Sequence, residues 1–211
     1  MTASPPRAFL LSPANSAGAR AGLVLRDGAA FPLAQRLRSA EGAPIGELYA
    51  FMSGLYFRGK LAYARAFAAP AQAIHVIVPG RGLVHPDTRV TLDDLRAVAA
   101  VPVDLEDERY RAPFARDAAA VAASLGDGCA VLLGSIATPK YVDVLSAAFG
   151  DRLRFPLEFV GRGDMSRGGL MLRQVDEGRE LTYVRIDETV RRGPRPPRLI
   201  PRPRVARAPS A

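Results

Sequence analysis

Residues that build covalent frameworks or metal centres are scarce in this chain. The 211 residues include one cysteine, Cys129, and two histidines, His75 and His85. A single cysteine excludes an internal disulfide framework, and without a C-x-x-C pair a zinc site is unfavourable. Cys129 opens the apolar run 129–133, which is typical of a buried strand thiol and not of a nucleophile. We therefore expect no metal site and no cofactor.

Long hydrophobic runs are also missing. No segment approaches the roughly 18 consecutive apolar residues that a membrane-spanning helix requires. The first seven residues are polar and proline-bearing, without the charged-then-apolar pattern of a secretory signal. We expect a cytoplasmic protein that does not contact membranes. The hydrophobic content of 48% suffices for one core, which predicts a single domain over 1–190 and a tail over 191–211.

Lysine is almost absent, so nearly all positive charge is arginine. Lys60 and Lys140 are the only two lysines in the sequence. The formal net charge is +8, and residues 191–211 hold seven arginines and no acidic residue, so the body carries 8 − 7 = +1. A near-neutral body argues against broad contact with nucleic-acid phosphates by the domain itself. The proline- and arginine-rich tail is predicted to be extended or disordered.

Short apolar runs alternate with helical patterns along the chain. Strands are predicted at 8–11, 74–78, 129–133 and 154–157, with an edge strand at 182–186. Helices are predicted at 19–25, 31–37, 45–67 and 109–125, and from Thr91 and Tyr141 onward, with interruptions near Gly54, Gly59 and Pro113. This order predicts an α/β fold. Its mainly parallel sheet has helices on both faces, and its glycine- and arginine-bearing loops gather at the carboxyl edge of the strands.

The segment 160–170 has the most unusual composition. Nine of its residues include four glycines, two arginines, one aspartate and one serine. Glycine allows positive φ and close approach of the backbone, and the planar arginine fork suits phosphate or carboxylate. We interpret the segment as a loop that cradles an anion, with Arg162 and Arg167 as a clamp, Ser166 as a further donor and Asp164 as an orienting group or base. The alternative is a glycine-rich hairpin with solvated arginines.

Other polar residues follow the predicted strands. Ser12 and Asn15 follow the first strand, Arg81 follows the second, and Ser135 and Lys140 follow the third. Because parallel strands place such loops at one edge, these residues are candidates for the same ligand site. For Ser12 and Asn15 the alternative is local turn chemistry, in which the side chain bonds nearby backbone.

Three further candidates are Arg58 and Lys60 in the predicted helix at 45–67 and His85 in the loop that follows the second predicted strand. Arg58 and Lys60 flank Gly59 and are either ligand contacts or ordinary solvated charges. His85 stands beside Pro86 in a loop and is a candidate acid or base, because small environmental effects move a histidine pKa across neutral pH. A lone loop histidine is more commonly a surface residue.

Four short motifs occur in a recognisable order. Residues 12–14 read Ser-Pro-Ala, and 53–56 read Ser-Gly-Leu-Tyr. Residues 134–141 begin with Gly-Ser and end with Lys-Tyr, and 162–167 read Arg-Gly-Asp-Met-Ser-Arg. In this order they resemble motifs of the peroxide-stress protein YaaA family and its shorter relatives of unknown function. The chain departs from that pattern at Asn15, where the family has lysine, and at Lys140, where it has glutamate.

The resemblance implies DNA binding and a cytoplasmic role in oxidative-stress defence. A looser similarity in strand-loop layout to uracil-DNA-glycosylase-like folds suggests base or nucleotide chemistry, although the glycosylase motifs are absent. Three hypotheses follow. The first is a nucleic-acid-associated protein with a phosphate or nucleotide site at the strand ends. The second is an enzyme acting on a nucleotide, a nucleobase or another small phosphorylated ligand. The third is a non-catalytic scaffold whose tail docks elsewhere.

We predict that the arginine tail supplies most non-specific affinity for DNA. Truncation after Val190 removes seven arginines, and the plot of log affinity against log salt concentration should flatten by about 0.9 for each phosphate that is no longer neutralised. The measurement is binding to duplex DNA across a salt series. A full-length control with the seven arginines changed to glutamine should behave like the truncation. An unchanged slope in both variants would place the binding surface on the domain.

Overall fold

The computed structural model describes residues 6–16, 18–70, 73–187, 193, 194, 196, 197 and 199. Over these residues, eight short strands form two sheets. The strands are β1 (Arg7–Leu11), β2 (Ala43–Pro44), β3 (Ile74–Val78), β4 (Gly82–Val84), β5 (Arg89–Val90), β6 (Cys129–Leu133), β7 (Leu153–Pro156) and β8 (Tyr183–Arg185). The helices are α1 (Ala19–Leu25), α2 (Pro32–Arg38), α3 (Ile45–Ser53), α4 (Leu55–Phe67), α5 (Leu92–Ala99), α6 (Glu108–Ser124), α7 (Pro139–Phe149) and α8 (Asp164–Asp176).

The main sheet has six strands in the order β4-β3-β1-β6-β7-β8. Strand β1 pairs in parallel with β3 and β6, and β6 pairs in parallel with β7. The edge strands β4 and β8 run antiparallel to their neighbours, and β2 and β5 form a separate antiparallel pair. The predicted α/β fold with a mainly parallel sheet is therefore confirmed. The carboxyl ends of the four parallel strands all face one edge.

Continuous apolar sequence explains the central strands. In β1, the four residues from Ala8 to Leu11 are each fully inaccessible to solvent, and Ala130 to Leu133 in β6 are equally buried. Strands covered on both faces need this kind of uninterrupted apolar run, because neither set of alternating side chains reaches water. The half-buried residues of β8 agree with the predicted edge strand at 182–186.

Helices flank the sheet in two groups. Helix α4 packs against α8 and β1, whereas α6 packs against α7 and β4. The chain passes from β1 to β3 on one side and later crosses to β6 on the other side of β1. Right-handed crossovers then place the two groups on opposite faces.

The chain leaves the carboxyl ends of adjacent β1 and β6 in opposite directions. Such a topological switch point is where open α/β sheets commonly bind ligands.

Helices α4 and α8 cross with their backbones in contact. A Cβ atom added to Gly59 would lie 2.6 Å from the carbonyl oxygen of Gly168, and one added to Gly168 would lie 2.6 Å from that of Leu55. The predicted interruption at Gly59 is therefore wrong, since α4 continues through it. The glycine permits close approach between helices and does not break one.

The predicted glycine-rich loop at 160–170 is also wrong over most of its length. Helix α8 begins at Asp164, so only 160–163 precede it as loop. Gly168 lies inside this helix, at a position where the close packing against α4 leaves no room for a side chain. At Gly161, by contrast, φ is +71°, which is the backbone freedom that the sequence pattern indicates.

Helix α6 runs through Pro113 without the predicted break. Proline removes one backbone donor and crowds the preceding turn, which normally disfavours helix. Here Tyr110 and Phe114 lie in the core, at 1% and 0% exposure. Burial of these two rings on one face of the helix stabilises it against the local cost.

The terminal tail falls mostly outside the described residues. Of its described positions, Pro197 accepts a hydrogen bond from Arg162 through its carbonyl oxygen, and Leu199 packs against the core. Among the described residues, no helix is both long enough and apolar enough to cross a bilayer.

We predict that Gly59→Ala destabilises the protein by about 1–3 kcal/mol, because the added methyl group would force α4 and α8 apart. Gly22→Ala in α1 is the matched control, since nothing lies within 4 Å of a Cβ at that position. At that position the better helix propensity of alanine should raise the free energy of unfolding by no more than about 1 kcal/mol. Urea unfolding of both variants measures the difference. Equal effects would show that the helix crossing does not need glycine.

Candidate functional site

A polar cavity of about 480 Å³ opens at the switch point. The loop after β1, the loop after β6 and the amino-terminal turns of α4, α7 and α8 surround it. Its polar side chains are Ser12, Asn15, Ser53, Tyr56, Ser135, Lys140, Tyr141 and Asp164. The structure thus brings residues from distant parts of the chain to the carboxyl edge of the sheet.

Three helices begin at this cavity. Tyr56 is the second residue of α4, Lys140 is the second residue of α7, and Asp164 is the first residue of α8. The cap residues of these three helices make no side-chain capping hydrogen bond. Helix amino termini carry positive partial charge and outward N–H groups, and together these attract anions.

Directly behind the cavity wall, a buried amine is paired with a hydroxyl of the lining. The Lys60 Nζ atom lies 2.9 Å from the carbonyl oxygen of Ser12 and 2.7 Å from its Oγ atom. Both residues are almost inaccessible, at 1% exposure for Lys60 and 5% for Ser12. The amine also lies 4.2 Å from the centroid of the Tyr56 ring and 5.2 Å from that of Phe57. Within the described part of the chain, Lys60 makes no ion pair with a carboxylate.

Burial lowers the pKa of Lys60 from its ordinary 10.5 to about 7, because the low-dielectric interior disfavours the ammonium form. The negative charge of Asp164 opposes this effect, and the positive charge of Arg167 adds to it. Near neutral pH, Lys60 is therefore present in both protonation states. The phenol of Tyr56 stays neutral, since burial raises its pKa to about 12.

The predicted site residues divide into two groups. Ser12, Asn15, Ser135, Lys140 and Asp164 line the cavity, and Lys60 lies directly behind Ser12. The others lie away from the lining: Arg58, Arg81, His85, Arg162, Ser166 and Arg167.

Arg162 binds to the protein itself. It donates from Nε to the carbonyl oxygen of Glu158 at 3.0 Å, and from Nη1 to Ser166 Oγ and to the carbonyl oxygen of Pro197, both at 3.3 Å. Ser166 is thereby engaged as the acceptor of this guanidinium. These contacts hold the turn that precedes α8 against the first turns of the helix and against the described part of the tail.

Arg167 is similarly occupied. Its Nε and Nη2 atoms donate to the carbonyl oxygen of Phe159 at 3.2 and 3.0 Å, and its guanidinium carbon lies 5.4 Å from the Phe159 ring centroid. An ion pair of 3.9 Å joins it to Asp164. The predicted arginine clamp thus fastens α8 to the preceding turn, because its guanidinium donors are used by a backbone carbonyl of that turn.

Three other predicted residues lie at separate places. Arg81 pairs with Asp94 at the start of α5 and borders another depression. Arg58 is exposed and lines a third depression beside Phe51. His85 follows β4, which runs antiparallel to β3, so it lies at the opposite edge of the sheet from Ser12. Its placement with the strand-end residues is wrong, because the hairpin reverses the chain before His85 is reached.

Sequence reasoning missed the pairing of Lys60 with Ser12 and the contribution of Ser53 and Tyr56 to the lining. A usable signal was present for Lys60. Tyr56 and Tyr63 lie four residues before and three residues after it, on one helix face. Both tyrosines are buried. A lysine on that face must either enter the interior or distort the packing.

The described residues contain no group of three or more His, Cys, Asp or Glu side chains arranged to hold a metal ion. No protein-family model, curated protein or solved structure matches this chain significantly.

We predict that Lys60 makes stability depend on pH. Between about pH 7 and 10.5 the unfolded chain holds the Lys60 proton and the folded protein does not, so stability rises with pH in this window. Relative to a Lys60→Met variant, wild type should gain on the order of 1 kcal/mol per pH unit from pH 7 to 9.5. Chemical unfolding at several pH values measures this difference.

The matched control is Lys140→Met, which removes an amine from the more open wall of the same cavity. Because this variant retains Lys60, its unfolding free energy should follow the pH trend of wild type. A constant difference between wild type and Lys60→Met across the window would mean that the buried amine titrates normally.

Proposed function

We propose that this protein binds a small anionic ligand, a nucleotide or a similar phosphate-bearing molecule, in the cavity at the switch point. The observation that carries the proposal is the convergence of three helix amino termini on one polar cavity. A cavity of about 480 Å³ lies within the size range of small-molecule sites. Backbone N–H groups at such helix ends bind phosphate without any dedicated sequence motif.

The charges around the cavity favour a ligand with two chemically different ends. Lys140, whose Nζ lies 5.2 Å from the Tyr141 ring centroid, supplies positive charge on one wall. Asp164, with 69% of its side chain exposed, supplies negative charge on another. A carboxylate repels a bare polyanion but accepts hydrogen bonds from hydroxyl or amino groups. A nucleotide carries both phosphate and such donors, so it fits this pair of walls better than inorganic phosphate.

We extend the proposal to a YaaA-like protein associated with nucleic acid. Support comes from three of the motifs that carry the resemblance, at 12–14, 53–56 and 134–141, because each contributes residues to the cavity. In this proposal the glycine- and arginine-bearing loops gather at the carboxyl edge. There Arg81 and Arg162 add positive potential without direct ligand contact. The arginine tail would supply attraction to nucleic acid.

An enzyme acting on the bound ligand is the second candidate. The specific observation in its favour is the contact between Ser12 Oγ and Lys60 Nζ in the cavity wall. A scaffold without catalysis, the third hypothesis, has no need for a polar cavity at the switch point.

We predict that Lys140→Ala weakens binding of adenosine monophosphate about tenfold or more, because a charge-assisted hydrogen bond contributes roughly 1.5–3 kcal/mol. Isothermal titration calorimetry measures the affinity. Arg179→Ala is the matched control, since it removes one positive charge beyond the far end of α8, about 20 Å along that helix from the cavity. Equal affinity for all three proteins would exclude Lys140 as a contact. Failure of wild type to bind adenosine monophosphate or inorganic phosphate would overturn the proposed site.

A further inference from the structure

We propose that Ser12 is a nucleophile and Lys60 its general base, and that together they transfer the acyl group of an anionic ester or related acyl compound held in the cavity. This inference rests on the proposed function, because the same cavity must hold the substrate. Its geometric basis is the distance of 2.7 Å between Lys60 Nζ and Ser12 Oγ, at a residue that lines the cavity. A nucleophile and its base must lie within hydrogen-bond reach of each other, and Ser–Lys pairs are a recognised form of this arrangement.

The position of Ser12 is fixed by its surroundings. It follows β1 directly, and its backbone N–H donates to the carbonyl oxygen of Leu133 at 3.2 Å. A Cβ atom at Gly134 would lie 2.9 Å from the Ser12 Cβ and 3.1 Å from its Oγ, so only glycine leaves room for this rotamer. A nucleophile held by a rigid strand end is poised for reaction and loses little entropy on reaching the attacking geometry.

The second contact of the amine gives its lone pair a direction. A carbonyl oxygen can only accept, so Lys60 donates one N–H to the Ser12 carbonyl at 2.9 Å. A neutral amine has another N–H and one lone pair. The lone pair can accept the Oγ proton across the 2.7 Å contact. Burial among aromatic rings keeps a neutral fraction available near pH 7.

The reaction balances without any further reagent except water. The Ser12 Oγ atom bonds to the acyl carbon, the bond to the leaving group breaks, and the Oγ proton passes through Lys60 Nζ to that leaving group. In the second half, water gives a proton to Lys60 and bonds to the acyl carbon. The bond to Oγ then breaks, and Oγ recovers the proton from Lys60. The net change is hydrolysis of an acyl compound to a carboxylic acid and a protonated leaving group.

The groups around Ser12 and Lys60 favour the negative charge that would develop during acyl transfer. Residues from the first turns of α4, α7 and α8 line the cavity, and helix amino termini carry the partial positive charge that would stabilise negative charge on a tetrahedral intermediate. The charged or titratable groups near Lys60 are Asp164 and Arg167 from α8 and Tyr56 from α4. Lys140 and Tyr141 of α7 line the same cavity. Of these, Asp164 favours the ammonium and Arg167 favours the neutral base.

The experiment is covalent labelling of the full-length protein with phenylmethylsulfonyl fluoride, a probe that bonds to an activated serine and releases fluoride. Peptide mapping by mass spectrometry should place the adduct on Ser12. Its rate should be at least about 100-fold above that of Ser39 and Ser124, which are exposed hydroxyls bonded to backbone carbonyls. The rate should rise with pH and level off through an inflection near 7, where Lys60 becomes neutral.

Three variants test the roles of Ser12 and Lys60 in the labelling reaction. Ser12→Ala should abolish the adduct, Lys60→Met should slow labelling about 100-fold, and Ser39→Ala should label like wild type. Circular dichroism shows whether each variant is folded. If Lys60→Met does not fold, the pH profile of wild type decides. A rate that follows hydroxide concentration across pH 6 to 9 without an inflection overturns the assignment, as does a rate for Ser12 no higher than that of the surface serines.

The two proposals fail in different ways. Binding of adenosine monophosphate without labelling of Ser12 would overturn the nucleophile and leave the ligand site intact. Labelling of Ser12 without binding of that nucleotide or of inorganic phosphate would support the nucleophile and overturn the phosphate site. If both hold, adenosine monophosphate should slow the labelling of Ser12 by occupying the cavity.

Discussion

The contact between Gly59 and Gly168 is the constraint on which the site depends. Helices in globular proteins usually lie about 8–10 Å apart because side chains separate them. Two facing glycines remove that spacer, and the backbones of α4 and α8 meet. Lys60 is the next residue after Gly59, and Asp164 and Arg167 of α8 lie close enough to its amine to affect its pKa. The same crossing also places the first residue of α8, Asp164, in the cavity lining. A wider crossing would move Asp164 relative to the rest of the cavity lining.

Enclosing an amine in this way is unfavourable for stability. Desolvation of the ammonium is only partly offset by the two oxygens of Ser12 and by the aromatic faces of Tyr56 and Phe57. An apolar side chain of similar volume would fill the space without that cost. The amine contributes instead a group that exchanges protons near neutral pH beside a hydroxyl in a cavity wall. Active sites commonly trade stability for such reactivity.

Much of the fold is predictable because strands and helices leave local signals. Apolar runs identify the four parallel strands, and their parallel order groups Ser12, Ser135 and Lys140 at one edge.

The rest of the fold and site depends on contacts between distant segments. A glycine that permits a loop and a glycine that permits helices to touch look the same in sequence, so Gly59 and Gly168 mislead. The reversal of the chain at β4, which moves His85 to the opposite edge, depends on strand pairing. The carbonyl partners of Arg162 and Arg167 likewise appear only when the segments assemble.

The charge of the whole chain and the charge at the cavity act over different distances. The net charge of +8 derives mainly from the tail, and its attraction for a polyanion is screened by salt within roughly 10 Å. Helix amino termini act within a turn of their ends and do not enter the formal charge at all. A near-neutral body is therefore compatible with a strong local preference for a small anion. Ser12 is almost inaccessible to solvent, so the fields of those helix ends are screened less at its hydroxyl than at the protein surface. A negative charge that developed at this hydroxyl would therefore be stabilised more strongly than one at the surface.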